Sequence, residues 1–409
     1  MARKLASIVE IESCDPIPDT ERLSVATMKG KGWKVVTGRD EFHSGDLAVY
    51  FEIDSYLPSE DERYAFLKDR CLKRFVSKSG NVLREGIRIK TIKLRGVISQ
   101  GLLMPLSAFH EINERIQNGK YLRCTKDEWQ KELDEICSKS SEPLDVIPYS
   151  ESDYLKDVVG SDVTKLLKVE HYDEVKDQLQ PLTGSNPISA DAMGRFPSDY
   201  CHKTDEERIQ NLGDWFEKYK DMEWEATAKD DGSSLTMFYS PTIDAEIPFG
   251  VCTRNLRIKP ELAKGGVPLG YQMAAKYDVE NKLKNMFESE GLEYAIQGEL
   301  VGPGVNADRD KYQEHEWHVF KIYDIKNQMY LLPSKRREVC EKLGLKHVQI
   351  ISPSIKVFME YPTMDAVLKF AEGKTARGNE REGIVFKSNT IHNLSFKAVS
   401  NRYLMKQDD

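Results

Sequence analysis

Lys229-Asp230-Asp231-Gly232-Ser233 lies between two strand-like runs, Trp224-Glu-Ala-Thr-Ala and Ser234-Leu-Thr-Met-Phe-Tyr. Read plainly, it is an Asp-Gly turn joining the two strands. Read chemically, it is a lysine prepared to attack a nucleoside triphosphate. Such a lysine needs a lowered pKa so that its amine is neutral, a metal to draw charge from the phosphate, and backbone that comes close to the ligand. Asp231 can hold a metal or its bound water, Gly232 permits a tight turn, and Ser233 can hydrogen-bond a ribose or phosphate oxygen. A Lys-x-Asp-Gly string arises by chance in a charged chain of this length on the order of one time in ten, so the surrounding sequence has to decide.

The chain has 409 residues and a net charge of −8, with 40% apolar and 31% charged residues. That length predicts two or three domains, and the composition is that of a soluble globular protein. No apolar run reaches the length of a membrane span, no signal peptide opens the chain, and seven scattered cysteines without a Cys-x-x-Cys pair fit reduced thiols. The expected setting is cytoplasmic or nuclear, with no membrane contact. The acidic total argues against nucleic-acid binding over the whole surface but permits a local basic groove.

Residues 1–125 are expected to form an OB-type β-barrel. Short strand-like runs, among them Ala6-Ser-Ile-Val-Glu-Ile, Trp33-Lys-Val-Val-Thr and Leu47-Ala-Val-Tyr-Phe-Glu-Ile, are separated by Asp15-Pro16, Gly30-Lys-Gly, Ser44-Gly-Asp and Gly96. Between Arg63 and Arg95 there are eleven Lys or Arg against two acids, with Tyr64, Phe66 and Phe75 interleaved. Cations that track a phosphate backbone beside aromatics that stack on bases make Lys73, Arg74, Arg88, Lys90, Lys93 and Arg95 the candidate nucleic-acid contacts. Residues 126–195 read as an acidic connector, with eleven acids against three lysines between Asp127 and Asp162.

Residues 196–409 are expected to form a larger α+β module with a mainly antiparallel sheet. Thr204-Asp-Glu-Glu207 reads as a capping box ahead of a helix carrying Ile209, Leu212, Trp215, Phe216 and Tyr219. Further helices are expected near 271–288, 334–343 and 364–371. Lys229 would then project from its turn into a cleft between sheets. Strand alternation puts Ala295, Gln297 and Glu299 on one face, and Glu382-Gly383 opens another strand. Lys387 and Lys397 stand in mainly apolar strands, and Arg254-Asn255 follows Val251-Cys-Thr. A charged residue in such a strand is paired, at an edge, or functional. His315-x-x-His318 has no third ligand nearby and is not read as a zinc site.

In order along the chain, Lys229-x-Asp-Gly, Arg254, Glu299, Tyr323-Asp324, Glu382-Gly383 and Lys397 resemble the motifs of the covalent nucleotidyltransferases, the polynucleotide ligases and capping enzymes. Gln297-Gly-Glu299-Leu-Val-Gly-Pro-Gly304, Thr253-Arg-Asn255 and Tyr323-Asp-Ile325 are similar to RNA ligases in particular. Lys203-Thr-Asp-Glu-Glu-Arg-Ile-Gln-Asn211 and Gly45-Asp-Leu-Ala-Val-Tyr-Phe-Glu-Ile-Asp54 resemble the group in which an N-terminal OB module is fused to the nucleotidyltransferase domain. The fold implied is an OB barrel followed by an ATP-grasp-like ligase domain with antiparallel sheets.

The resemblance implies an ATP-dependent RNA ligase using Mg2+ or Mn2+, working as a monomer on nicked duplexes with RNA on the 3′-hydroxyl side. Lys229 would carry the adenylate, and Asp231, Glu299 and Glu382 would hold the metal, through its waters. Arg254 and Lys397 would contact the ribose side and the α-phosphate, and Arg208 would steer the outgoing pyrophosphate. Tyr323, with Phe320 as second candidate, would stack on adenine. Many ligases carry Lys-x-Lys where this chain reads Lys397-Ala-Val399, so Lys387 or Arg402 compensates or the second contact is absent. The rival readings are a DNA ligase, a GTP-using capping-type enzyme, or a nucleic-acid-binding protein with an inactive transferase domain.

Overall fold

The computed structural model describes residues 4–77, 79–117, 158–172, 175, 191–306 and 308–406. The chain forms two compact units, Met1–Ser185 and Asn186–Asp409. Among the described residues no helix is long and apolar enough to cross a membrane.

In the first unit, β1 (Ala6–Pro16), β2 (Leu23–Met28), β3 (Lys31–Gly38), β4 (Leu47–Phe51), β5 (Ser55–Pro58), β6 (Leu72–Val76), β7 (Val82–Arg88), β8 (Thr91–Leu94), β9 (Val97–Gln100) and β10 (Leu102–Pro105) follow one another. They form a five-stranded sheet in the order β10-β4-β1-β2-β3, and β5, β7 and β6 form a second sheet. Residues 6–10 of β1 pair with β4, and Ile11–Pro16 pair with β2 after a register shift between Ile11 and Ser13. A bulge of this kind bends one strand so that it serves both sides of a curled OB-type sheet. Ala6 and Ile8 enter one apolar cluster while Val9 and Ile11 enter another, as two-residue alternation requires.

Residues 158–172, expected within the acidic connector, belong to this first unit. Val158, Val163, Leu167 and Val169 are buried with Leu5, Ile8 and Val49, and the Ile8 amide donates to the Ser161 carbonyl at 3.1 Å. Glu170–His171, strand β11, adds to the outer edge of β5. Four apolar side chains inside an acidic stretch outweigh its net charge, because burying each is worth roughly 1.5–3 kcal/mol. Residues 126–157 of that expected connector lie outside the described residues.

The second unit has two sheets. Strands β12 (Ala192–Arg195), β15 (Ser233–Tyr239), β16 (Phe249–Thr253), β17 (Leu256–Ile258), β18 (Tyr294–Val301), β19 (Glu316–Asp324) and β20 (Met329–Tyr330) form one, ordered β12-β17-β16-β15-β18-β19-β20. Strands β13 (Glu207–Arg208), β14 (Trp224–Lys229), β21 (Ile350–Ile355), β22 (Gly383–Ser388) and β23 (Ser395–Val399) form the other, ordered β13-β23-β22-β14-β21. Each sheet buries one face. Met237, Ile296, Trp317 and Ile322 of the larger sheet pack with Met273, Leu283 and Val339 of helices Leu269–Lys276, Val279–Glu290 and Pro333–Leu343. Trp224, Ala226, Ile384, Phe386 and Phe396 of the smaller sheet pack with Val367 and Leu368 of helix Met364–Ala371. The opposite face of the larger sheet also buries a smaller cluster, Phe238, Cys252, Ala295 and Tyr323 with Tyr200 and Cys201, and Glu299 stands on that same face.

The capping box at Thr204 does not start a helix. Glu207–Arg208 is a strand parallel to β23, with Glu207 opposite Phe396 and Arg208 opposite Lys397. The Glu207 carboxylate accepts hydrogen bonds from the Arg208 amide at 2.8 Å and the Asn211 side chain at 3.0 Å, instead of reaching back to a cap. Helix appears only at Trp215–Lys218. Ile209, Leu212, Trp215 and Phe216 still pack into the core, so the apolar stripe is satisfied without continuous helix.

Candidate active site

Lys229 is the last residue of β14 in the smaller sheet, and Ser233 is the first of β15 in the larger one. The five residues that opened the sequence are therefore the crossing between two sheets, not a hairpin turn. A Cβ on Gly232 would run into the Leu300 carbonyl and the Glu299 side chain, and one on Gly383 would run into the Ala398 carbonyl. Glycine at both positions lets the backbones touch where Lys229, Glu299 and Glu382 converge.

Glu382 Oε1 lies 2.7 Å from Lys229 Nζ. Burial works against the charge on Lys229, but Glu382, Glu299 and Asp231 outweigh it and hold its pKa above the ordinary value. The lowered pKa expected from sequence is thus reversed here, because three carboxylates surround one ammonium. Glu299 shows the complement. Burial, with the carboxylates of Glu382, Asp230 and Asp231 nearby and Lys229 opposing, pushes its carboxyl up to about 8. Ala295 and Gln297 share the face of Glu299 while Ile296 and Leu300 enter the core, as alternation predicted.

Lys397, close enough for its charge to act on that of Lys229, donates to Asp205 at 2.6 Å. Burial, Arg208 and Lys229 lower its pKa against the pull of Asp205. Arg208 lies beside Lys397 across the parallel pair. The fold therefore gathers Lys229, Asp231, Glu299, Glu382, Lys397 and Arg208 from five separate stretches of sequence.

A pocket of about 380 Å³ opens beside Lys229, lined by six carboxylates (Asp230, Asp231, Asp308, Asp310, Glu380 and Glu382) and by Arg309, Tyr312, Thr375 and Tyr403. Asp230 accepts from His318 Nδ1 at 2.7 Å, and His318 Nε2 meets Glu316 at 3.1 Å. Although burial opposes it, these two carboxylates raise the pKa of His318. Tyr403 donates its hydroxyl to Asp231 at 2.6 Å, Thr375 donates to Asp310 at 2.7 Å, and Lys374 donates to Glu380 at 2.7 Å. Asp308 accepts from the Tyr312 amide at 3.2 Å. His318 was named from sequence only to set a zinc site aside, and Tyr403 and Arg309 were not found there. Pairing of β18 with β19, which puts His318 opposite Glu299, is the signal that would have pointed to the first. Nothing local marks the other two.

Several expected residues stand elsewhere. Arg254 is exposed in the turn between β16 and β17. Tyr323 is only 4% exposed and packs against His202 and Tyr330, at ring separations of 5.6 and 4.9 Å, so neither ring face is open to a base. Phe320, half-buried on the same strand, lines a second cavity of about 330 Å³ together with Lys321, Arg336 and Lys387. Lys387 does not stand in for a cation at Val399: it faces that cavity, while Arg402 pairs with Glu372 at 3.1 Å. Val399 is buried. In the first unit Lys73, Arg74, Lys93 and Arg95 are exposed, whereas Arg88 pairs with Asp54 at 3.0 Å under the ring of Tyr172 at 4.1 Å. Arg74 pairs with Glu85, and Phe75 packs against Tyr56 and Tyr172 rather than facing out.

Carboxylate oxygens are the hard donors that Mg2+ and Mn2+ prefer. Glu299, Glu382, Asp230 and Asp231 lie close enough to act on one another, and a cation among them would relieve that repulsion. Among the described residues, no three acidic, His or Cys side chains are close enough to ligate one ion directly, so such an ion would be held partly through water.

Residues 5–106 match the model of an OB-fold domain, and residues 222–401 match that of RNA ligase. Three solved structures of a Naegleria gruberi RNA ligase illustrate the wider likeness. A lysine-to-methionine variant with AMP and Mn is 29% identical, covers 100% of both chains and superposes with a TM-score of 0.74. A glutamate-to-alanine variant with ATP and Mn is 28% identical over 100% of both chains, with a TM-score of 0.72. The enzyme with PPi is 29% identical over 100% of both chains, with a TM-score of 0.73. No curated protein matches the chain. The chain thus joins an N-terminal OB-fold domain to a domain of the RNA ligase family, and matches an RNA ligase structure along its whole length.

Proposed function

We propose that the protein is an ATP-dependent RNA ligase that joins a 3′-hydroxyl to a 5′-phosphate through an adenylate carried on Lys229. The observation that carries this reading is Lys229 Nζ at 2.7 Å from Glu382, with Asp231 and Glu299 close enough to hold its charge. Likeness to an RNA ligase seen with ATP, AMP, PPi and Mn supports it.

In the first step Lys229 Nζ attacks the α-phosphorus of ATP, an N–P bond forms, the bond to the β-phosphate breaks, and pyrophosphate leaves. The proton that Nζ must lose has an acceptor 2.7 Å away in Glu382. Next, an oxygen of the RNA 5′-phosphate attacks the same phosphorus and breaks the N–P bond. A 3′-hydroxyl then attacks the activated 5′-phosphorus, loses its proton, and AMP departs. A divalent cation held by Asp231, Glu299 and Glu382 would draw charge from the α-phosphate and weaken the carboxylates' grip on the ammonium. Lys397 and Arg208, paired across β23 and β13, would receive phosphate oxygens. Phe320 replaces Tyr323 as the aromatic with surface open to adenine. In the first unit, the exposed Lys73, Arg74, Lys93 and Arg95 would follow the RNA backbone, with nicked duplex as the substrate.

The test is covalent labelling. Purified protein with α-labelled ATP and Mg2+ or Mn2+ should acquire an alkali-stable, acid-labile and pyrophosphate-reversible label, as an N–P bond requires, and should then seal nicks with RNA on the 3′-hydroxyl side. Labelling from GTP alone, or none from either nucleotide, would sink the reading.

A further inference from the structure

Every carboxylate lining the pocket beside Lys229 already accepts a hydrogen bond or faces the lysine itself. Arg309 is different. Its Nε is 3.9 Å from Asp231 Oδ2, beyond hydrogen-bond reach, and it donates no hydrogen bond among the described residues. The guanidinium lies over the ring of Tyr403, 4.5 Å from its centroid, with its side chain 29% exposed to the pocket. Tyr403 is itself fixed: it is 2% exposed, its amide donates to Ser400 Oγ at 3.2 Å, and its hydroxyl donates to Asp231. An arginine laid flat on a rigid ring has lost most of its rotamer freedom before any ligand arrives, while its outward donors stay available. A pocket this rich in carboxylates would otherwise repel an anion.

We infer that Arg309 is a phosphate-binding residue of the ligase reaction, held in place by Tyr403, and this rests on the adenylate chemistry proposed for Lys229. Its planar fork matches two phosphate oxygens at once. None of the three positions considered from sequence supplies that second cation: Val399 is buried, Lys387 faces the other cavity and Arg402 pairs with Glu372. Two phosphates reach a pocket beside Lys229: the terminal phosphates of ATP, and the 5′-phosphate of RNA.

Full-length Arg309→Ala, Arg309→Lys and wild-type proteins, matched for thermal midpoint, distinguish the sources. If the ligand is the nucleotide's terminal phosphates, Arg309→Ala should raise the ATP concentration for half-maximal labelling, and the pyrophosphate needed to strip the label, by roughly ten- to a hundredfold. If it is the RNA phosphate, labelling should be normal, while transfer of AMP from labelled enzyme to a 5′-phosphate end slows by a similar factor. In either case Arg309→Lys should recover only part of the loss, because a point charge does not reproduce the fork. Labelling, stripping and transfer all within twofold of wild type would overturn the inference. Failure of the wild type to label would instead overturn the Lys229 chemistry, and the two failures are told apart by that control.

Discussion

Lys229 and Lys387 stand on the same face of the same sheet, yet their surroundings push their charges in opposite directions. Lys229 pairs in register with Gly383, and Lys387, four residues further along β22, pairs with Glu225. That spacing separates them by about 13 Å at strand rise. Around Lys229 the fold places three carboxylates and raises its pKa. Around Lys387, burial and the cations Arg336 and Lys321 outweigh Glu206 and Glu225, lowering its pKa to about 7. The acids there are already engaged: Glu206 pairs with Lys321 at 2.8 Å and Glu225 with Arg336 at 2.8 Å. One lysine is held charged until a cation competes for its acids; the other is near neutrality with no ligand present. Residue type says little about an amine's charge, and its neighbours say nearly everything.

The largest expected effect falls on the first lysine. Lys229→Ala should abolish labelling with ATP while leaving RNA binding by gel shift close to wild type, whereas Lys387→Met should still label. Equal loss in both would erase the contrast between the two sites. Next, Glu299→Gln keeps the size of the side chain and removes one of the acids around Lys229. The manganese concentration for half-maximal labelling should rise roughly ten- to a hundredfold, read from a metal titration. An unchanged titration would mean that Glu299 does not share the cation.

Tyr403→Phe keeps the ring beneath Arg309 and deletes the hydroxyl on Asp231, so it should slow labelling by roughly five- to tenfold, the worth of one hydrogen bond to a charged group. The last effect concerns Lys387 and is read as stability. Its folded pKa lies below the ordinary 10.5, so between about pH 7 and 10.5 the unfolded chain binds the extra proton and the folded state gains stability as pH rises. Urea midpoints at pH 7.5 and 9.5 should show this gain in wild type, with a slope approaching 1.4 kcal/mol per pH unit, and a smaller one in Lys387→Met. Parallel slopes would remove the evidence that Lys387 is near neutrality.

Much of the site was legible because its residues announce themselves locally. Lys229-x-Asp-Gly sits in four consecutive residues, Glu299 interrupts an apolar strand, and Glu382 stands immediately ahead of one. Alternation alone assigned the face of Glu299. What stayed hidden depends on partners far along the chain. Glu207–Arg208 is strand only because β23, nearly two hundred residues later, is there to pair with it. Tyr403 and Arg309 become meaningful only when a C-terminal helix and the loop after β18 both arrive at Asp231. Tyr323 was misjudged for a related reason: alternation puts it on the cleft-facing side, but cannot reveal that the Tyr200–His202 segment covers it. Net charge likewise concealed the apolar pattern within residues 158–172.

The two glycines under the site carry one more implication. At Gly232 and Gly383 the strands meet backbone to backbone, and any larger residue would have to push a carbonyl aside rather than turn a side chain. The height of Lys229 relative to Glu299 and Glu382 is therefore set by main chain on both sides, with no rotamer able to absorb an error. Ligases built on this plan can diversify freely in the loops that choose an RNA end. The seam beneath the lysine behaves as a fixed gauge, and drift there is corrected only by restoring glycine.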